Sequence, residues 1–186
     1  MRISEDVKDA IRAVKTGNVV VYPTDTVYGI GCSFFSVSAI DKIYEIKQRS
    51  KEQALSVAFN SIEQAQSYAT MGEKEIDFIR EKLKDNSEGW TFIVKKKLVM
   101  FLHPSFKGTL GIRIPDNEIV KELTKEAGPI ITTSANISGK CSVSRFDDLD
   151  KEMLEKVDVA LKGECRIGKP SVIWDLTKEP YEVLRS

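Results

Sequence analysis

The sequence holds one histidine, three cysteines and six prolines among 186 residues. With His103 alone, metal centres built on several histidines are excluded, and a histidine-based catalytic triad is disfavoured. Cys32, Cys141 and Cys165 are odd in number, widely spaced and never arranged as a CxxC pair. That pattern argues against a disulfide framework and a structural zinc site, and it fits a reducing, cytoplasmic setting. Cys32 is expected in the core. A charge excess of either sign is also missing, since 28 Lys and Arg face 28 Asp and Glu. Tight attachment to nucleic acid through bulk charge needs surplus cations, so it is not expected, while a local basic patch stays compatible with zero net charge. No run approaches the ~18 consecutive apolar residues of a membrane span. The opening MRISEDVKDA lacks the apolar centre of an export signal.

What is present is ordinary for a soluble globular chain: 41% hydrophobic and 30% charged residues. The length fits one domain over residues 1–186. Apolar spacing predicts helices over Asp6–Lys15, Ser36–Gln48, Ile62–Tyr68, Glu73–Leu83 and Ile119–Ala127. Short β-branched or aromatic runs predict strands at Asn18–Tyr22, Ala54–Phe59, Trp90–Val94, Thr109–Ile114, Pro129–Thr133, Val157–Leu161, Val172–Trp174 and Tyr181–Leu184. The mixture reads as an α/β domain with a twisted mixed sheet. The acidic run Asp147–Asp158 reads as a solvated helical face.

Four segments carry polar chemistry. Tyr22–Gly31 (YPTDTVYGIG) follows a strand and offers Thr24, Asp25, Thr26 and Tyr28, with Gly29 and Gly31 allowing close backbone approach to a ligand. Its structural alternative is a turn capped by Asp25. Lys47 and Arg49 close the second helix, where cations suit the helix dipole or could clamp a triphosphate. Ser134–Gly139 (SANISG) supplies hydroxyl and amide groups, or a cap. Arg113 lies inside the apolar strand GIRIP and therefore needs an acidic residue or an anionic ligand. Gly163–Pro170 (GECRIGKP) nearly matches a phosphate-binding P-loop. Pro170 stands where that loop needs Ser or Thr, and a strand rather than a helix is predicted next, so the match is rejected.

Taken together, YPTDTVYGIG, the KQR ending the next helix and PIITTSANISG resemble the YrdC-type threonylcarbamoyl-AMP synthase family. GIRIP and KPSVIWDL extend the likeness over nearly the whole chain. The resemblance implies a single YrdC-like domain with a twisted mixed sheet, flanking helices and a basic concave face. It implies a nucleotidyltransferase that joins L-threonine, bicarbonate and ATP, releases pyrophosphate and forms threonylcarbamoyl-adenylate for tRNA modification next to the anticodon. Magnesium is implied as a companion of the nucleotide phosphates rather than of a protein cage. Implied partners are tRNA or double-stranded RNA and downstream threonylcarbamoyl-transferase proteins, with no membrane. Longer members carry a further C-terminal domain, so this chain is expected to be the catalytic domain alone.

By motif position, the resemblance assigns Thr26, Arg113, Ser134 and Ser171 to L-threonine. It assigns Lys47, Arg49, Gln53, Thr109, Asn136, Ser144 and Arg185 to the nucleotide, with Lys47, Arg49, Ser134 and Asn136 as the catalytic set and no protein metal ligands. Arg113 would then find its anion in the substrate carboxylate. Two departures stand out: Ala58 occupies the place of a family histidine, and Ser87–Thr91 replaces a PGP-containing stretch. These features resemble a YciO-like branch, which lacks the SAN loop that is intact here. A paralogue acting on threonylcarbamoylated tRNA, or a non-catalytic RNA-binding module, are the alternatives to the synthase reading.

Overall fold

The computed structural model describes residues 1–97 and 103–186. In chain order the elements are β1 (Arg2–Ser4), α1 (Val7–Lys15), β2 (Val20–Tyr22), β3 (Gly29–Ser33), α2 (Val37–Lys47), β4 (Ser56–Ala58), α3 (Ile62–Gln66), β5 (Ala69–Thr70), α4 (Glu73–Lys82), β6 (Trp90–Lys96), β7 (Thr109–Arg113), α5 (Glu118–Ala127), β8 (Ile130–Ser134), α6 (Lys151–Glu155), β9 (Val159–Leu161), β10 (Val172–Asp175) and β11 (Glu182–Arg185). The strands form one mixed sheet in the order β1-β9-β2-β3-β8-β4-β7-β6-β10-β11, with β5 paired to β6. This is the α/β architecture with a mixed sheet that the sequence predicts.

Strand alternation divides the interior in two. Val19 and Val21 enter the larger core, which also takes Ile40, Ile43, Val57, Phe92 and Ile112. Val20 and Tyr22, one residue out of phase, face the opposite side and pack with Ala10, Val14, Leu123 and Ile130 beneath α1 and α5. Each fully buried Val, Leu or Ile contributes roughly 1.5–3 kcal/mol. Asp6 caps α1 by accepting from the Lys8 N–H, an interaction of about 1 kcal/mol. Asn117 caps α5 in the same way through the Val120 N–H.

Two local readings change. Gly31, read as allowing close approach to a ligand, lies inside strand β3, which pairs antiparallel with both β2 and β8. A Cβ on Gly31 would lie 2.1 Å from the Ile131 carbonyl oxygen and 2.8 Å from the Tyr22 hydroxyl. Gly31 therefore serves close strand packing. The acidic run is only partly a helical face: α6 is short, and Asp158 is half-buried, accepting from the Val19 N–H and pairing with Lys42. Cys32 is buried in the core as expected, and burial pushes its thiol pKa up.

The path after α2 matters most for function. Gln48 takes a left-handed conformation with φ of 49°, which for a non-glycine residue costs about 1–2 kcal/mol. The turn brings the Arg49 N–H back onto the Tyr44 carbonyl at 3.0 Å. Lys47 is thereby sent inward while Arg49 returns toward the sheet.

Candidate active site

A cavity of about 200 Å³ opens over the centre of the sheet. Strand ends and neighbouring loops build its wall: Thr26 from the loop into β3, Gly29 from the start of β3, Ser56 from β4, Thr91 and Ile93 from β6, Thr109, Gly111 and Arg113 from β7, and Thr132 to Ser134 from β8. Arg49, Ser171 and Arg185 complete it. Seven residues assigned from the sequence thus meet at one place: Thr26, Arg49, Thr109, Arg113, Ser134, Ser171 and Arg185.

Four assigned residues do not reach the wall. Lys47 is 1% exposed, so it is no solvated helix end. Its ammonium donates to the Ser134 carbonyl at 2.5 Å and the Asn136 carbonyl at 2.7 Å, while its own carbonyl accepts from the Ser138 N–H. Lys47 therefore holds the SAN loop from beneath. Burial, reinforced by the Arg49 charge, pushes its pKa down to about 8. Asn136 spends its amide N–H groups on the Ile137 and Lys140 carbonyls, and its Oδ1 is buried without a partner. The Gln53 side chain is exposed, and its carbonyl accepts from Tyr44 and Arg49. Ser144 does not line the cavity, and its hydroxyl lies 4.0 Å from where a Cβ on Gly168 would stand.

Arg113 has an internal partner. Its Nη2 lies 2.8 Å from Asp25 Oδ1 and also donates to Thr26 Oγ1 at 3.1 Å. Asp25 is thus a buried counter-ion rather than a turn cap, and the anion missing from the sequence reading is supplied by the chain. Arg113 lines the cavity, and Asp25 and Thr26 engage only its Nη2, so the guanidinium keeps N–H groups for an anion there.

Arg49 donates from Nε to the Gln53 carbonyl and from Nη2 to the Ala54 carbonyl at 3.0 Å, bracing the chain before β4. Arg185 donates from Nη2 to the Ser171 carbonyl at 2.8 Å and to its hydroxyl at 3.1 Å. The Ser171 hydroxyl also meets that of Thr91 at 2.8 Å. Burial lowers the pKa of both arginines, and Arg113 and Arg49 lower that of Arg185 further. Among the described residues, no Asp or Glu lines the cavity.

The segment 163–171 closes one side. The Ile167 N–H donates to the Asp25 carbonyl and the Gly168 N–H to the Thr26 carbonyl at 2.9 Å. Tyr28 donates to the Gly163 carbonyl and accepts from its N–H. No helix follows this segment; β10 does, as the rejected P-loop match requires.

Sequence reasoning passed over Ser56 and Thr91 as site members, and it named Thr24, which also lines the cavity, without giving it a role. Period-two alternation in WTFIV could have singled out Thr91, which shares the cavity face with Ile93. Ala58 is registered beside Arg113 but packs with Val120, Leu123 and Ile130, off the cavity wall.

The wall offers a set of hydroxyls and guanidiniums, and the nearby Asp25 carboxylate, off the wall, is already paired with Arg113. Among the described residues there is no cluster of three His, Cys, Asp or Glu side chains suited to a metal ion. The set does not build a protein cage for a divalent cation. No helix of the described residues is long and apolar enough to cross a membrane.

Known proteins resemble this chain in sequence and in fold. A Methanocaldococcus jannaschii relative is 36% identical over 163 residues, 87% of this chain and 76% of its own length. The mouse threonylcarbamoyl-AMP synthase is 32% identical over 186 residues, and the match takes in 94% of this chain but 64% of the mouse protein. The crystal structure of P. abyssi Sua5 complexed with L-threonine superposes with a TM-score of 0.87 at 28% identity, over 99% of this chain and 56% of that one. The family model Sua5_yciO_yrdC, described as "Telomere recombination", matches residues 12–186. With that match over nearly its whole length, the chain belongs to the Sua5/YciO/YrdC family.

Proposed function

We propose that the cavity joins L-threonine, bicarbonate and ATP into threonylcarbamoyl-AMP, a nucleotidyl transfer that releases pyrophosphate and serves tRNA modification. The observation that carries this reading is the convergence of Arg49, Arg113 and Arg185 on a wall without Asp or Glu among the described residues. Such a wall suits a polyanion together with a carboxylate. The relatives named as threonylcarbamoyl-AMP synthases, and the threonine-bound P. abyssi structure, support the same reading.

The chemistry needs no protein nucleophile. The threonine amine forms a bond to the bicarbonate carbon, water leaves, and the resulting carbamate oxygen attacks the α-phosphorus as pyrophosphate departs. A cation-rich pocket disfavours the ammonium form of a bound amine and so favours the neutral nucleophile. Arg113, on the cavity wall, receives the threonine carboxylate. Arg49 and Arg185 face the phosphates, and the rest of catalysis is positioning and charge neutralisation. Lys47 contributes by fixing the Ser134–Asn136 loop. Magnesium enters on this reading with the nucleotide phosphates.

The test is to incubate the protein with ATP, magnesium, bicarbonate and L-threonine and to measure pyrophosphate and the adenylate. Threonine-dependent pyrophosphate is expected. Its absence from well-folded protein overturns the synthase reading. Arg113→Ala is expected to raise the threonine requirement, and Arg49→Ala to weaken ATP binding far more than the fold.

A further inference from the structure

Residues 50–54, between α2 and β4, are all exposed. One backbone carbonyl in this segment, that of Gln53, accepts from Arg49 Nε at 3.2 Å and from the Tyr44 hydroxyl at 3.1 Å. A carbonyl oxygen has two lone pairs, so both are occupied. The next carbonyl, that of Ala54, accepts from Arg49 Nη2 at 3.0 Å. Arg49 thus spends one edge of its guanidinium on two consecutive carbonyls. Of its five N–H groups, the two on Nη1 and one on Nη2 have no protein partner among the described residues. Because Arg49 lines the cavity, these are the groups that it offers to an anion there. The two carbonyls set the angle of that offer.

Tyr44 is the buried end of this relay. It is 2% exposed and lies off the cavity wall. Its ring stacks on His103, with centroids 5.7 Å apart and planes 24° apart. His103 is fixed in turn. The Ser105 N–H donates to its Nδ1 at 3.2 Å, so its ring proton lies on Nε2, which donates to Asp41 Oδ1 at 3.2 Å. Asp41 and Tyr44 both belong to α2. A hydroxyl held by the core therefore reaches out to the exposed segment that carries the Arg49 bonds.

We propose that Tyr44 is a positioning residue that aims Arg49 through the Gln53 carbonyl, so that affinity for the nucleotide depends on a hydroxyl that touches no ligand. The proposal rests on the reading that Arg49 faces the nucleotide phosphates. A guanidinium held at its angle before the ligand arrives loses less freedom on binding. Arg113, which the same reading gives to threonine, is held instead by Asp25 and lies outside this relay. The effect of Tyr44 is therefore confined to the nucleotide.

The test uses Tyr44→Phe, which removes the hydroxyl and keeps the ring on His103. ATP with magnesium is titrated calorimetrically into the wild type, Tyr44→Phe, Arg49→Ala and the double variant, and KM is measured for ATP and for L-threonine. Tyr44→Phe is expected to weaken ATP binding and raise its KM by about fivefold, the scale of one net hydrogen bond, with the KM for threonine changing by less than about twofold. In the Arg49→Ala background the same change is expected to have no further effect on ATP, because the group that Tyr44 aims is gone. A merely structural tyrosine would weaken ATP and threonine together and would add to Arg49→Ala. Either result overturns the proposal, as does unchanged ATP binding in Tyr44→Phe, and the synthase reading survives all three. An Arg49→Ala protein that binds ATP as the wild type does overturns the reading of Arg49 as well. If Tyr44→Phe does not fold, Tyr44→4-aminophenylalanine, which keeps a donor, and Tyr44→4-fluorophenylalanine, which does not, carry the same comparison. Equal ATP affinities in those two overturn the proposal.

Discussion

The Lys47 ammonium lies 2.5 Å from the Ser134 carbonyl oxygen. A cation at the end of α2 thus secures the loop after β8, joining two motifs separated by more than eighty residues of sequence. Its role is to shape the site from below.

This arrangement separates stability from binding. Lys47→Met removes an ammonium whose burial is itself costly, but leaves two carbonyls without their donor. The two effects oppose each other, so urea unfolding is expected to change by no more than about 2 kcal/mol. Binding of ATP, measured by calorimetry, should fall by more than tenfold because the Ser134–Asn136 loop loses its anchor. Unimpaired binding would show that the loop holds its shape without Lys47.

The same side chain gives a pH signature. Burial lowers the folded-state pKa of Lys47 to about 8, from 10.5 in the absence of the fold. As pH rises from about 8 toward 10.5, the folded chain has released this proton and the unfolded chain has not. Stability from this group therefore increases with pH over that window. Between pH 7 and 9, wild type should gain stability relative to Lys47→Met. A gap independent of pH, or one moving the other way, would contradict the shift. The Lys47→Met reference removes the contributions of Cys32 and Tyr22, whose raised pKa values are common to both proteins.

Gly89 is confined by the threonine loop. An added Cβ would stand 2.0 Å from Thr26 Cγ2 and 3.3 Å from Arg113 Nη2. Gly89→Ala is therefore expected to displace Thr26, raise the KM for threonine severalfold and cost about 1–3 kcal/mol. Gly108→Ala is the control, since its Cβ would meet nothing within 4 Å, and it should stay within about 0.5 kcal/mol of wild type. Equal behaviour of the two variants in thermal unfolding and kinetics would refute the packing argument.

The Arg113–Asp25 pair has side chains only 11% and 5% exposed. Removing one member of a buried pair strands the other charge, so Asp25→Ala is expected to lose about 3–5 kcal/mol in urea unfolding. A loss below about 1 kcal/mol would mean that the cavity, rather than Asp25, satisfies Arg113.

Much of the site was legible because its residues sit in local patterns. The polar run YPTDTVYGIG after a strand, the lone charge inside the apolar strand GIRIP and the SANISG segment pointed to Thr26, Arg113 and Ser134, and these residues do share one wall. Gly31 and Asp25 were misread for the same reason: a glycine beside a turn and an aspartate after a threonine look alike whether they serve a ligand, a cap or a distant strand. Only the Ile131 carbonyl and the Arg113 guanidinium settle their roles. Strands β1 and β5, of three and two residues, carry too few side chains for a periodic signal.

The sequence by itself determined the class of the fold, through alternating helical and strand periodicity, and the chemical inventory of hydroxyls and cations without a usable set of histidines. Those properties depend on neighbours within a few residues, where backbone geometry fixes the pattern. Tertiary structure alone decided which cations face the cavity and which support it. Arg49, Arg113 and Arg185 come together from α2's end, β7 and β11, while Lys47, two residues before Arg49, turns inward. It also brought the Arg113 guanidinium onto the Thr26 hydroxyl and the Asp25 carboxylate, because partners so far apart in sequence meet only when the sheet assembles.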